Sequence, residues 1–301
     1  MNEEIQGGEE DTGWRKAIPP ARDRLQSRVL VWVVGALLVG GSVLNLMGPS
    51  ARLERSAEVL YSSVGISIAF AILVWLLKAA TPVAAVFGGT ICLQLTFWTS
   101  AEHGSIGSSA LAPLAVLFLF TFISTRAGRY RKAKAGLAEK RSGRDTAQII
   151  ANLSVAALCV APIMIVLTGS RMTEIMCLAA LCEATADTVS SEIGQAFGGV
   201  PVMVVGFRRV EPGTDGAVTL IGSCAGIAAG GVVALAGAWA MRLDAGAMLT
   251  ALGAGICGLF FDSLLGATVE RRGWLGNDLV NFSSTLFAAL LAMAVCRLFV
   301  L

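Results

Sequence analysis

"MCLAALCEATADTVSSEIG", residues 176–194, passes from oil into acid within the length of one helix. Glu183 and Asp187 stand one helical turn apart, and Glu192 follows among four hydroxyls, Thr185, Thr188, Ser190 and Ser191. The run before them, Met172 to Leu181, is largely apolar. A carboxylate inside hydrocarbon costs several kcal/mol unless it is paired, hydrated or bound to a cation. The stretch therefore belongs either to a soluble helix or to the wall of a polar cavity in a membrane protein, and the surrounding chain decides which.

Of 301 residues, 55% are hydrophobic and 15% charged, and the mean hydropathy is +0.72. A soluble domain carries about a quarter of charged residues, whereas a helix crossing a bilayer needs about 20 mostly apolar ones. Windows of that kind fall at 29–47, 59–77, 83–99, 110–125, 146–168, 172–204, 218–240, 246–266 and 282–301. The segment 83–99 is marginal in length, and 172–204 is too long and too polar for one plain span. The expected fold is an all-α polytopic membrane protein with about nine transmembrane helices, some of them broken. Residues 1–28, with an acidic opening from Glu3 to Asp11 and the pair Pro19-Pro20, read as a polar cytoplasmic tail, and 29–301 as a single transmembrane domain. The first apolar run begins late and is long enough to span, so no secretory signal pattern is expected there.

The seven cysteines lie in or beside apolar runs without a CxxC pair, so they read as small packing residues rather than disulfides or ligands. The lone histidine, His103, has only Glu102 near it in sequence. That excludes a histidine-based zinc site or catalytic triad. With nine spans and the N-terminus inside, eighteen Lys and Arg fall on the cytoplasmic side against four outside, eight of them in the loop 126–145. Positive charge favours the cytoplasm, so the sequence predicts N-in and C-out in the cell (inner) membrane. The basic loop reads as a topological determinant that touches anionic lipid.

On that topology the polar stretches share one face. "RSGRDTAQIIAN" (141–152) and "EPGTDGAVTLIGS" (211–223) enter spans from the cytoplasm, and "FFDSLLGATVERRGWLGNDLVNFSS" (260–284) leaves one span and starts the next. On a straight helix Glu183, Asp187, Ser190 and Gly194 share a face while Glu192 points nearly opposite, so either the helix breaks or Glu192 serves another wall. Gly222, Gly226 and Gly230 form one stripe, and Ala251, Gly255, Gly258, Asp262 and Gly266 another. Small-residue stripes pack helices closely; the second also carries a carboxylate.

Such acids need cations, which Arg144, Arg208, Arg209, Arg271 and Arg272 can supply. Oxygen ligands without His or thiolate also suit Mg²⁺. Asp187 and Asp262, supported by Glu183, are the candidate catalytic residues, and Asp187, Asp262 and Glu192 the candidate metal ligands. Candidate phosphate or nucleotide contacts are Arg144, Asn152, Ser191, Arg271, Asn277, Asp278 and Asn281. Gly213, Asp215 and Gly216 join them, because a Gly-rich turn opening a helix presents N–H groups to phosphate. Buried polar residues that merely fix helix register are the alternative. No GxxxxGK[ST] loop or protein-kinase motif set occurs.

Together "GRDTAQIIAN", "EATADTVSSEIG", "PGTDGAVTLIGS", "DSLLGATVE" and "NDLVNFSST", in this order, closely resemble the transmembrane-protein-nineteen-like family. "KAATPVAAVFGG" (78–89) and "FTFISTRAG" (120–128) resemble its N-terminal half, so the likeness covers roughly 60–301. The chain departs at Ala217 and Val218, where a second Gly is common after "TDG", and at Glu270, where an amide is common. One plant and cyanobacterial branch is phytyl-phosphate kinase, and the family is distantly similar to membrane polyprenol kinases and CDP-lipid cytidylyltransferases, many of them CTP users. The resemblance implies transfer of the γ-phosphate of CTP, or another nucleoside triphosphate, to a prenyl or phytyl monophosphate. The implied partners are the lipid bilayer and an isoprenoid phosphate, with no nucleic acid. Phosphoryl transfer needs mainly positioning and charge neutralisation, which acids, Mg²⁺ and arginines can provide. A transporter of a small anion or lipid phosphate is the rival reading, since broken helices and polar residues in spans also mark transporters. A membrane scaffold ranks third, because it leaves the acids unexplained.

Overall fold

The computed structural model describes residues 18–47, 54–139 and 142–299. Four long or medium helices open the chain: α1 (Pro20–Met47), α2 (Glu54–Leu76), α3 (Pro82–His103) and α4 (Leu111–Arg126). The short α5 (Arg129–Lys134) lies in the basic loop, followed by α6 (Thr146–Cys159) and α7 (Pro162–Thr168). Then come α8 (Ser170–Phe197), a hairpin of β1 (Val202–Met203) and β2 (Ala217–Val218), α9 (Leu220–Ala240), α10 (Ala245–Leu265) and α11 (Asn277–Phe299). Local chemistry sets several starts. Thr81, Thr219 and Asp244 cap α3, α9 and α10 through their side-chain oxygens. Asp145 caps α6 while the Gln148 side chain accepts from the Asp145 N–H, a reciprocal capping box.

Six helices among the described residues are long and apolar enough to cross a membrane, or seven if the bent pair α6–α7 is one span. The nine windows exceed that number for two reasons. α4 has 16 residues, and α8 carries Glu174, Glu183, Asp187 and Glu192. Of the two readings of 172–204, a break or a second wall for Glu192, the helix shows no break. α8 is one continuous helix of 28 residues, roughly 42 Å at 1.5 Å per residue. The 49° bend lies between α6 and α7, where Pro162 lacks the N–H to continue the ladder. Pro20–Arg28 form the first turns of α1, docked on the loop before α11 by Arg22 Nη1 donating to Gly273 O (3.0 Å) and Gln26 Nε2 to Trp274 O (2.8 Å). The acidic opening at 3–11, with Lys140 and Arg141 of the basic loop, lies outside the described residues.

α8 tolerates its polarity because protein, not lipid, surrounds it. Leu178, Ala180, Leu181 and Cys182 are fully buried, and α4, α6, α9, α10 and α11 all pack on it. Both glycine stripes reach its backbone. A Cβ at Gly226 of α9 would stand 2.3 Å from Ala186 O, and one at Gly255 of α10 would stand 3.0 Å from Glu183 N. Five cysteines are buried in this packing, while Cys224 and Cys257 are exposed.

Two ends can be distinguished. At one, His103 Nε2 lies 2.8 Å from Glu174 Oε1, and Arg171 pairs with Asp244. At the other, Arg126 Nη2 at the end of α4 donates to Leu77 O at the end of α2 (2.8 Å). There too Arg144 N donates to Ala79 O and Thr81 N to Arg144 O, both at 3.0 Å. Gly143 permits this close pass: its φ is +80°, and a Cβ would stand 2.5 Å from the Ala79 carbonyl carbon.

Candidate functional site

Two cavities meet at the second end. The polar one, of about 290 Å³, lies among the C-terminal half of α8, the start of α6, the end of α10, the start of α11 and the 212–219 loop. Six carboxylates line it: Glu139, Asp187, Glu192, Asp215, Asp262 and Glu270. Arg144 is the one cation among its described lining residues. The apolar cavity, of about 480 Å³, runs between α2 and α4 past Phe70, Val74, Leu114, Leu117, Phe118 and Phe122. Its rim has the opposite charge, with Lys78, Arg126, Arg129 and Arg144 against Glu139. Arg144, Asn152, Thr188 and Glu139 line both cavities and form their common wall.

That wall is held by polar contacts. Arg144 Nη2 lies 3.4 Å from Thr188 Oγ1 and Asn281 Nδ2 lies 3.4 Å from Asn152 Oδ1. Asn152 Nδ2 also donates to Gln148 O at 2.8 Å. Arg144, just before α6, and Gln148 and Asn152 on α6 line the polar cavity together. On α10, Asp262 Oδ2 accepts from Ser284 Oγ at 3.2 Å. Glu183 does not line the cavity. It is buried, within electrostatic reach of Asp187 and Asp262, and its Oε1 has no hydrogen-bond partner among the described residues.

Other candidates fall in different places. Ser191, Gly213, Asp215, Gly216, Asn277 and Asn281 line the polar cavity. Gly216 has a packing reason to be glycine: φ is +74°, and a Cβ would stand 2.1 Å from Ala267 N in the π-helical turn Gly266–Glu270. Asp278 lies in a neighbouring surface cavity and accepts from Ser27 Oγ of α1 at 2.6 Å. Arg271 turns its Nη1 to Met203 Sδ (3.5 Å), and Arg272 stacks over Trp274. Neither lines the polar cavity, so adjacency in sequence to Glu270 does not bring these guanidinia to the acids.

The family comparison settles where this arrangement belongs. Residues 65–289, three quarters of the chain, match the family described as integral membrane protein DUF92. The chain belongs to the DUF92 family of integral membrane proteins. This is the relationship to which the motifs pointed. Arabidopsis thaliana "Protein VTE6, chloroplastic" is 26% identical over 266 residues, covering 86% of this chain and 79% of that protein. An uncharacterized membrane protein of Synechocystis is 31% identical over 62% of this chain and 72% of its own length. One from Methanocaldococcus jannaschii is 30% identical over 64% and 84%. No solved structure matches. Both cavities lie within the DUF92 segment, while α1, with Ser27, lies before it.

Glu192 is engaged differently from the metal role read for it. Unbroken α8 aims its carboxylate toward α5, where it pairs with Lys132 Nζ. Lys132 is fully buried and also donates to Ser124 O (3.1 Å) and Thr125 O (2.9 Å), carbonyls left open at the end of α4. Sequence reasoning counted Lys132 as one of eight loop cations. Its signal is faint: among the described basic residues of the loop, it alone is buried when α5 folds back. No group of three His, Cys, Asp or Glu among the described residues is arranged to enclose a metal. Mg²⁺ commonly binds through one or two carboxylates plus substrate phosphates and water, and Asp187 and Asp262 on facing helices fit that mode.

Proposed function

We propose that this protein is a membrane kinase of isoprenoid monophosphates, transferring the γ-phosphate of a nucleoside triphosphate, CTP foremost, to a prenyl or phytyl monophosphate. The observation that carries the reading is the common wall between an apolar cavity with a cationic rim and a polar cavity lined with acids. The acceptor has the same two-part chemistry. Its tail fits between α2 and α4, and its phosphate reaches Lys78, Arg126, Arg129 and Arg144. Arg144 matches phosphate oxygens with its planar fork.

Even with Glu192 paired to Lys132, the carboxylates lining the polar cavity outnumber its guanidinium and would repel a bare polyphosphate, so the donor arrives with Mg²⁺. Asp187 and Asp262 would hold the ion, which screens charge on the transferring group. An oxygen of the acceptor phosphate attacks the γ-phosphorus and the nucleoside diphosphate departs, giving the prenyl diphosphate. The acceptor is already ionised, so positioning by Arg144, Asn152 and Thr188 does most of the work. The likeness to the Arabidopsis protein supports this reading, as does the family's resemblance to phytyl-phosphate kinase. We also place the site on the cytoplasmic side, with the N-terminus in, from the positive-inside bias.

A transporter of a lipid phosphate or small anion is the second reading, favoured by the bent α6–α7 pair. Purified protein with radiolabelled CTP, ATP, GTP or UTP and C5 to C20 prenyl monophosphates separates the two. Prenyl diphosphate plus nucleoside diphosphate supports the kinase. Ligand flux in vesicles with the nucleotide intact overturns it for the transporter. Labelling of cysteines placed at 135 and 275 from the outer face would overturn the orientation.

A further inference from the structure

We propose that the apolar cavity receives its lipid tail sideways from the bilayer through the seam between α2 and α4, and that Phe70 and Phe118 in that seam select tails by size. This rests on the kinase reading for its substrate, but the seam is a feature of the fold. α2 and α4 both sit at the perimeter: Ile68, Ile72 and Leu73 of α2 and Leu119 and Ile123 of α4 are exposed apolar residues. Between them the cavity reaches inward to Ala84 and Gly88 of α3.

A ring pair and a hydrogen bond bridge the seam. Deep inside, the rings of Phe70 and Phe118 meet edge to face with centroids 5.6 Å apart. At the rim, Arg126 donates to Leu77 O. Phe118, Phe122 and Arg126 follow at i, i+4 and i+8 along α4. Phe122 lies 5.6 Å from Phe118, and the Arg126 guanidinium lies 3.5 Å above the Phe122 ring. The stripe facing the cavity thus changes from apolar to cationic toward the rim, the order in which an amphiphile with a phosphate head would lie.

The seam is suited to opening. Lipid tails are as apolar as the faces they would replace, so parting α2 from α4 in a bilayer exposes nothing to water. Gly88 leaves space beside the Phe70 ring, since a Cβ there would stand 4.0 Å from Phe70 Cε1. Elsewhere the cavity is walled by α3, α6 and α8, whose lining residues Ala84, Leu153 and Ala184 are buried. A tail from the bilayer therefore has the α2–α4 side open to it, and it passes the Phe70–Phe118 pair.

Two measurements test this. Phe118→Ala should raise kcat/KM for a C40 relative to a C20 prenyl monophosphate at least five-fold, and Phe118→Trp should lower that ratio. Equal changes for both acceptors would mean that Phe118 only supports the fold, which overturns the filter. Independently of activity, Phe118→Trp and the parent chain are placed in vesicles of dibrominated phosphatidylcholine. Additional tryptophan quenching in the variant, absent in unbrominated vesicles, is the result expected of a seam open to lipid. No added quenching overturns lateral access, even if the kinase is active. Quenching with no phosphorylation of any acceptor would overturn the kinase reading and leave the lipid seam standing.

Discussion

The two cavities are neighbours built on opposite principles. The apolar one takes its lining from side chains that hydropathy treats as ordinary lipid-facing residues, such as Phe70, Leu117 and Phe122, and puts its cations at the rim. The polar one gathers carboxylates from α8, α10 and the loops and admits one guanidinium. Arg144 belongs to both. The difference teaches how a membrane protein can handle a substrate with a greasy end and an anionic end. On the proposed kinase reading each end meets a separate compartment, and chemistry is confined to the partition.

The sharpest way to break the comparison is to neutralise the acids. Asp187→Asn and Asp262→Asn should each lower kcat at least about 100-fold, because each would remove a ligand to the charge-screening ion. Quenching by brominated lipid at the seam should stay as before. Full activity with an unchanged Mg²⁺ titration would remove both residues from the site. Arg144 probes the partition itself. Arg144→Ala should raise the acceptor KM about 10- to 100-fold, the scale of one charged hydrogen-bonding group, and Arg144→Lys should recover only part of it. Unchanged steady-state kinetics would place the lipid phosphate elsewhere.

Lys132 tests whether charge near the polar cavity is structural or chemical. Lys132→Ala leaves Glu192 and two carbonyls without their donor, which should cost about 3 kcal/mol of stability. Removing both partners, with Lys132→Met and Glu192→Gln, should cost less. A double variant as unstable as the single one would mean that the pair has little to do with the loss. The smallest effect is expected at the far end. Asp244 is fully exposed, and its carboxyl is held below the usual range first by the Ala247 N–H and then by Arg171. Its contribution is present above the unfolded pKa of about 4 and is lost as pH falls through the lower folded value. Asp244→Asn should therefore flatten the acid side of the stability profile slightly, with no change in acceptor preference. A change in kinetics at neutral pH would show that the two ends communicate.

Much of this was legible before any coordinates. Apolar length marked the helices, the glycine stripes marked the faces of α9 and α10, and polar residues at span ends brought Asp187, Asp262, Asn152 and Arg144 into one cavity. Three things were not. The apolar cavity was hidden because a residue facing an internal void and one facing lipid obey the same hydropathy. Lys132 was hidden because loop cations are ordinarily solvated, and only the return of α5 onto α8 buries this one. Arg271 misled in the opposite sense, since a short turn after α10 points it at Met203 rather than at the neighbouring acids.

The glycine contacts of α8 also divide the molecule mechanically. Where Gly222 and Gly226 of α9 and Gly255 of α10 bring the helices against the α8 backbone, little side-chain bulk is left there to absorb sliding, so the three helices should move together as a stiff block. The acids on α8 and α10 thus keep their spacing whatever occupies the lipid side. Compliance is left to α2 and α4, joined across a void by one ring pair and one guanidinium. On the proposed reading, breathing on that flank can exchange a bulky guest while the acids on α8 and α10 stay still.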